Sequence, residues 1–150
     1  MKKQYTIAKE ITLTGVGLHT GKEVSLTFKP AAVNSGYTFA RIDMEGCPEI
    51  KADANFVVNT QRGTNIEKNG VKIQTSEHVL AALVGMGVDN CLLELNASEP
   101  PIMDGSSKFF VEAIEKAGVV EQNAFKEEYV VKEVISYVDE ASGSEILVMP

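Results

Sequence analysis

Residues 75–90, TSEHVLAALVGMGVDN, decide how the rest of the chain is read. Val79, Leu80, Leu83 and Val84 recur at the spacing of one helix face, and Thr75 stands where an N-cap belongs. Gly85 and Gly87 end the pattern, and Asp89-Asn90 lead into the apolar run CLLEL. The spacing predicts an amphipathic helix with Glu77 and His78 at its second and third positions. Free backbone N–H groups collect positive potential there, which keeps a carboxylate ionised and disfavours a proton on an imidazole. An ionised carboxylate beside a neutral imidazole suits metal-assisted hydrolysis. The plainer reading is an acidic residue and a hydrogen-bonded histidine at a helix start. The pair alone lacks the His-Glu-x-x-His spacing of a metalloprotease helix, and on pattern alone the plainer reading is favoured.

Before this helix the chain reads as strands. Residues 4–14 are rich in β-branched side chains and predict one strand; glycines at 15, 17 and 21 then punctuate a tight connection. Val24, Leu26 and Phe28 alternate with polar residues up to Pro30, as in a strand with one buried face. YTFARI and FVVN predict short strands, 43–55 a loop with a short extended piece, and Asn69-Gly70 a hairpin turn. After the helix come an apolar strand over 90–97, a prolyl segment, and a second amphipathic helix. That helix carries Phe110, Ile114 and Ala117 on one face and Gly118 at its end. Together these elements predict an α+β, two-layer sandwich: a mostly antiparallel sheet with two amphipathic helices on one face.

Residues 119–127 read as a polar connection, with a new strand starting near Glu128. The series Tyr5, Lys9, Glu10, Ile11 is echoed one residue shorter by Tyr129, Lys132, Glu133, Val134. A duplicated fold whose second copy has just begun would look like this. The expected organisation is a first domain over 1–122, a linker over 123–127, and the first strands of a second similar domain over 128–150. The run stops at Pro150 in mid-hairpin, which leads us to expect a fragment.

With 44% hydrophobic residues, the 150-residue chain buries a core of its own. A net charge of -7 and no cluster of Lys or Arg exclude a nucleic-acid partner. No apolar run reaches the ~20 residues of a membrane span. The lysines at the N-terminus are not followed by an apolar segment, so no secretory signal is read and the cytoplasm is the expected compartment. Cys47 and Cys91 form neither a CxxC nor a spaced ligand set.

Three further stretches carry candidate residues. His19 sits in GVGLHTG, which is not a phosphate-binding loop, because a strand pattern and not a helix follows it. It reads either as an exposed hairpin tip or as an imidazole lent to a cleft. Asp104-Gly105-Ser106-Ser107 reads as the cap of the second helix, with Asp104 or Ser106 accepting from free N–H groups, or as a carboxylate lining a site. Thr60–Thr64, TQRGT, is a polar loop of the kind that either binds or merely connects.

Taken together, GVGLHTGKEVSLTFKPA, TSEHVLAALVGMGVDN and PPIMDGS resemble UDP-3-O-acyl-N-acetylglucosamine deacetylase, the bacterial zinc amidase family that commits precursor to lipid A. The resemblance runs from about Gln4 to the end, in order and at matching spacings. It implies two similar α+β halves whose helices pack together, with the site between them. It implies that His78 is the zinc-binding histidine of the first half and Glu77 the general base. Thr60–Thr64 would border the site, and His19 and Asp104 would be motif residues near it. The family's other zinc ligands, a His and an Asp four residues apart on one helical face, belong to its second half. So do a His general acid and a Thr and Lys near the reacting carbonyl. The implied substrate is a UDP-linked acylated amino sugar. Without the second half the fragment is expected to be inactive and to hold zinc weakly. It is also expected to self-associate through the helix face meant for that half. The competing reading is a non-catalytic α+β interaction module in which Glu77 and His78 only begin a helix.

Overall fold

The computed structural model describes residues 2–150. The segment expected as one strand over 4–14 is two, β1 (Lys3–Ile7) and β2 (Ile11–Val16), which enter different sheets. The chain bends between them where Ala8 N donates to the carbonyl of Gly118 at 2.8 Å. Then follow β3 (Glu23–Pro30), β4 (Tyr37–Arg41), β5 (Glu49–Lys51), a single 3-10 turn (Ala54–Phe56) and β6 (Val57–Asn59). β7 (Asn65–Lys68) and β8 (Val71–Ile73) flank the expected hairpin turn, with Asn69 and Gly70 at φ 51° and 80°. Two successive positive φ values give the turn whose twist matches paired strands. The remaining elements are α1 (Glu77–Gly85), β9 (Cys91–Leu95), α2 (Lys108–Ala117), β10 (Val119–Phe125), β11 (Ile135–Asp139) and β12 (Ser144–Val148).

The main sheet has the order β2-β3-β9-β4-β5, antiparallel except where β4 runs parallel to β9. One face packs on the helices. Val24, Leu26, Phe28, Leu93 and Leu95 join Val79, Ala82 and Leu83 of α1 and Phe110, Ile114 and Ala117 of α2 in one buried cluster. The rings of Phe28 and Phe110 lie 6.4 Å apart in a tilted pair, the arrangement that aromatic quadrupoles favour. The other face is polar, and Lys29 reaches Glu94 there at 2.8 Å. This is the expected α+β sandwich. A smaller sheet, β6-β7-β8, adds buried Ile66, Val71 and Ile73 to the same core.

Residues 119–125, expected within a polar connection, form β10 and pair antiparallel with β1. Buried Asn90 shows why this polar stretch is ordered. Its Nδ2 donates to Gln4 Oε1 and Gln122 Oε1 at 2.9 and 2.7 Å, and its Oδ1 accepts from Gly36 N at 2.9 Å. One side chain thereby ties β1, β10 and the turn before β4. The strand expected near Glu128 begins instead at Ile135, so the stretch that echoes Tyr5–Ile11 is not a strand.

The starts of both helices also differ from expectation. Thr75 is not the N-cap: it lies at φ 52°, its N–H faces Asn65 Oδ1 at 3.3 Å, and Ser76 takes the cap position. Glu77 and His78 are therefore the first and second helical residues, one position earlier than read. At α2 the cap is Ser107; Asp104 accepts from the N–H and hydroxyl of Ser106 rather than from the helix. Ser106 does act as read, its hydroxyl accepting from Lys108 N at 3.2 Å.

Candidate active site

Glu77 is fixed by the loop that enters β7. Thr64 N donates to Glu77 Oε2 at 2.8 Å, while the carbonyl of Thr64 accepts from Ser76 N and Ser76 Oγ at 3.2 and 3.0 Å. The 60–64 loop and the first turn of α1 thus hold each other through both polar groups of one peptide residue. A carboxylate at a helix N-terminus also gains from the local field of unpaired N–H groups. His78 follows directly, half-buried, and its carbonyl accepts from Ser107 Oγ at 2.9 Å. That bond joins the second residue of α1 to the cap of α2.

His19 lies at the tip of the β2–β3 connection, and a residue missed by sequence reasoning positions it. Glu99 is fully buried, yet its carboxylate accepts from His19 N at 3.0 Å and from Thr20 N at 2.7 Å. Gly17 leaves the room for this, since a Cβ there would overlap both the Glu99 carboxylate and the Thr20 hydroxyl. The only sequence signal was a carboxylate directly before two prolines. His19 lines a cavity of about 370 Å³ with Asn59, Gln61, Arg62, Asn65, Lys72 and Gln74. Two cationic side chains in one polar cavity suit an anionic ligand group.

Thr60 is exposed on the same loop, between the cavity-lining Asn59 and Gln61. Asp104 is elsewhere: it is exposed and borders a separate cavity of about 350 Å³ with Gly15, Val16, Ile102, Met103 and Phe109. The Ser106 hydroxyl and N–H hold its carboxyl below the usual range. The structure therefore groups His19 with the 60–64 loop, joins that loop to Glu77, and leaves Asp104 apart.

Comparison with known proteins matches these elements to one family. The model of the UDP-3-O-acyl N-acetylglycosamine deacetylase family aligns with residues 4–150. The chain belongs to this deacetylase family. It is similar to the bifunctional enzyme LpxC/FabZ of Bacteroides thetaiotaomicron, 49% identical over 150 residues, covering 100% of this chain and 32% of the relative. The bifunctional enzyme of Chlorobaculum tepidum is 49% identical over 147 residues, covering 98% of this chain and 32% of the relative. The deacetylase of Hahella chejuensis is 49% identical over 140 residues, covering 93% of this chain and 46% of the relative. The chain thus spans 32% to 46% of the length of these relatives.

The donor set bears on the metal that the deacetylase family implies. Among the described residues no group of three His, Cys, Asp or Glu is placed to hold an ion. His78 offers one half-buried imidazole, a nitrogen ligand of the type zinc takes. Glu77 beside it is held through one oxygen, as suits a base and not a bidentate ligand. His78 and Glu77 are of the residue types that such a site uses, and the described residues place no third donor with them.

Proposed function

We propose that this chain is the N-terminal part of a zinc-dependent deacetylase that hydrolyses the N-acetyl group of UDP-3-O-acyl-N-acetylglucosamine in lipid A biosynthesis. The observation that carries this reading is the Thr64–Glu77 hydrogen bond, which fixes a carboxylate next to His78 and ties it to the loop whose Gln61 and Arg62 line the polar cavity. Membership of the deacetylase family supports the substrate.

In this mechanism His78 would hold the metal, which would supply Lewis-acid chemistry toward water and the acetyl carbonyl. Glu77 acts as general base through Oε1, the oxygen not engaged by Thr64. It takes one proton as the water oxygen bonds to the amide carbon. The C–N bond then breaks, the second half protonates the leaving amine, and acetate departs. Arg62, Lys72 and His19 line the cavity where an anionic part of the substrate would be steered and oriented. Thr60 lies on its rim, and Asp104 acts only through the loop before α2.

The reading extends to organisation. Residues 128–150 begin a second similar unit, and of the connection that the sequence placed at 123–127 the first three residues belong to β10. That unit's continuation supplies the other two zinc ligands. Among the described residues no helix is long and apolar enough to cross a membrane. As part of the proposed function, the reaction is placed in the cytoplasm.

The test is acetate release from the acylated UDP-sugar, assayed with the full-length protein and with residues 1–150. The full-length protein turns over and loses activity to a chelator, and the fragment is inactive. Turnover by residues 1–150 with one equivalent of zinc contradicts the two-half site. No turnover by the metal-loaded full-length protein favours the interaction-module reading.

A further inference from the structure

Thr75 carries two costs that its place in the fold does not offset. Its φ of 52° lies in the left-handed region, which crowds a β-branched side chain. Its hydroxyl is buried and has no hydrogen-bond partner among the described residues, in a residue only 6% exposed. Native folds rarely leave such a group orphaned. Asn or Gly would take the same backbone more cheaply, and Val would fill the same volume without the hydroxyl.

The surroundings of that hydroxyl point to its use. A Cβ built on Gly63 would lie 3.2 Å from Thr75 Oγ1 and 3.3 Å from Glu77 Oε1. The space that a side chain would fill at Gly63 is therefore bordered by both oxygens. Gly63 itself has φ 147°, where side chains are strained, and its lack of a side chain lets both oxygens approach the same side of this residue. Glu77 Oε2 is already engaged by Thr64 N, and Oε1 accepts nothing from the described residues. A small polar molecule between the two oxygens satisfies the buried hydroxyl and fixes the second carboxylate oxygen together.

We propose that Thr75 Oγ1 and Glu77 Oε1 hold one water molecule beside Gly63, and that Thr75 is thereby a positioning residue for Glu77. The inference rests on Glu77 being the general base. Thr64 pins one oxygen directly and Thr75 pins the other through water. The carboxylate plane is then set before the substrate arrives, and the second lone pair of Oε1 stays free to take the proton.

The test compares Thr75→Val and Thr75→Ser in the full-length protein by turnover, melting temperature and a high-resolution structure. Thr75→Val keeps the shape and the strained backbone but removes the hydroxyl. It loses the water, leaves KM unchanged, and lowers kcat roughly 10- to 100-fold, as for a misplaced catalytic group. Its melting temperature is unchanged or higher. Thr75→Ser retains the water and wild-type turnover. Wild-type turnover by Thr75→Val, or a structure with no water between the two oxygens, overturns the inference. Glu77→Gln is assayed in parallel. If it is inactive while Thr75→Val is fully active, only this inference fails; if it turns over normally, the assignment of the base fails first.

Discussion

The enclosed carboxylate of Glu99 grips the backbone of His19, accepting its N–H at 3.0 Å. A charge taken out of water is tolerated only where hydrogen bonds replace its hydration, and here the donors are consecutive amides of the 17–22 loop. The energy of that burial is coupled to one loop geometry, the one that places His19 at the cavity it shares with Arg62 and Lys72.

Glu99→Gln tests this coupling. The amide keeps one acceptor but turns an NH2 toward backbone donors, so the protein loses about 1–3 kcal/mol of stability. Hydrogen exchange at the amides of His19 and Thr20 accelerates. Unchanged protection at both amides would show that the carboxylate does not hold the loop.

Gly17→Ala reaches the same contact from the other side, because the added methyl meets the Glu99 carboxylate. The loop moves, and the variant loses stability and turnover much as Glu99→Gln does. In a double-mutant cycle the two losses are clearly less than additive. Strict additivity would separate the two residues.

The cysteines report on the packing of β9. Cys91 is fully buried under β3 and β4, and burial pushes its thiol up to about 12, whereas Cys47 is exposed. Near pH 8 a thiol reagent labels one cysteine in the native chain, Cys47, and reaches Cys91 only on unfolding. Mass spectrometry of the labelled peptides reads the outcome. Rapid native labelling of Cys91 would contradict the sheet order.

The outward side of α1 is apolar, with Ala81, Val84 and Gly85 exposed and Val84 67% accessible. Such a helix normally has a partner on its second face. Residues 1–150 alone self-associate in light scattering, and Val84→Glu returns them to a monomer. A wild-type monomer at high concentration counts against this face as an interface.

What the sequence made legible was periodic or named by turn chemistry. Val24-Leu26-Phe28, Asn69-Gly70 and the apolar face of α2 fall where their spacing placed them, whereas on α1 Val79 and Leu83 are buried with Ala82 and Val84, read on the same face, points outward and is exposed. The misses are places where tertiary contacts outrank local pattern. The run over 4–14 splits because β1 finds its partner in β10, more than a hundred residues away. Thr75 looked like a cap by residue type, but contact with Asn65 turns its backbone and passes the cap to Ser76. At the site, the pair Glu77-His78 stood out by its chemistry and helical position. Glu99 and the orphaned hydroxyl of Thr75 did not, since nothing in a sequence tells a buried carboxylate from an exposed one.

The rate of acetate release by Glu77→Gln in the metal-loaded full-length protein tests the role of Glu77 as general base most directly. Gln preserves the shape and can still accept from Thr64 N, but it cannot take a proton. With Glu77 as the base, the rate falls at least ~100-fold with metal content unchanged. A rate close to wild type would contradict it and leave Glu77 as no more than the first residue of a helix.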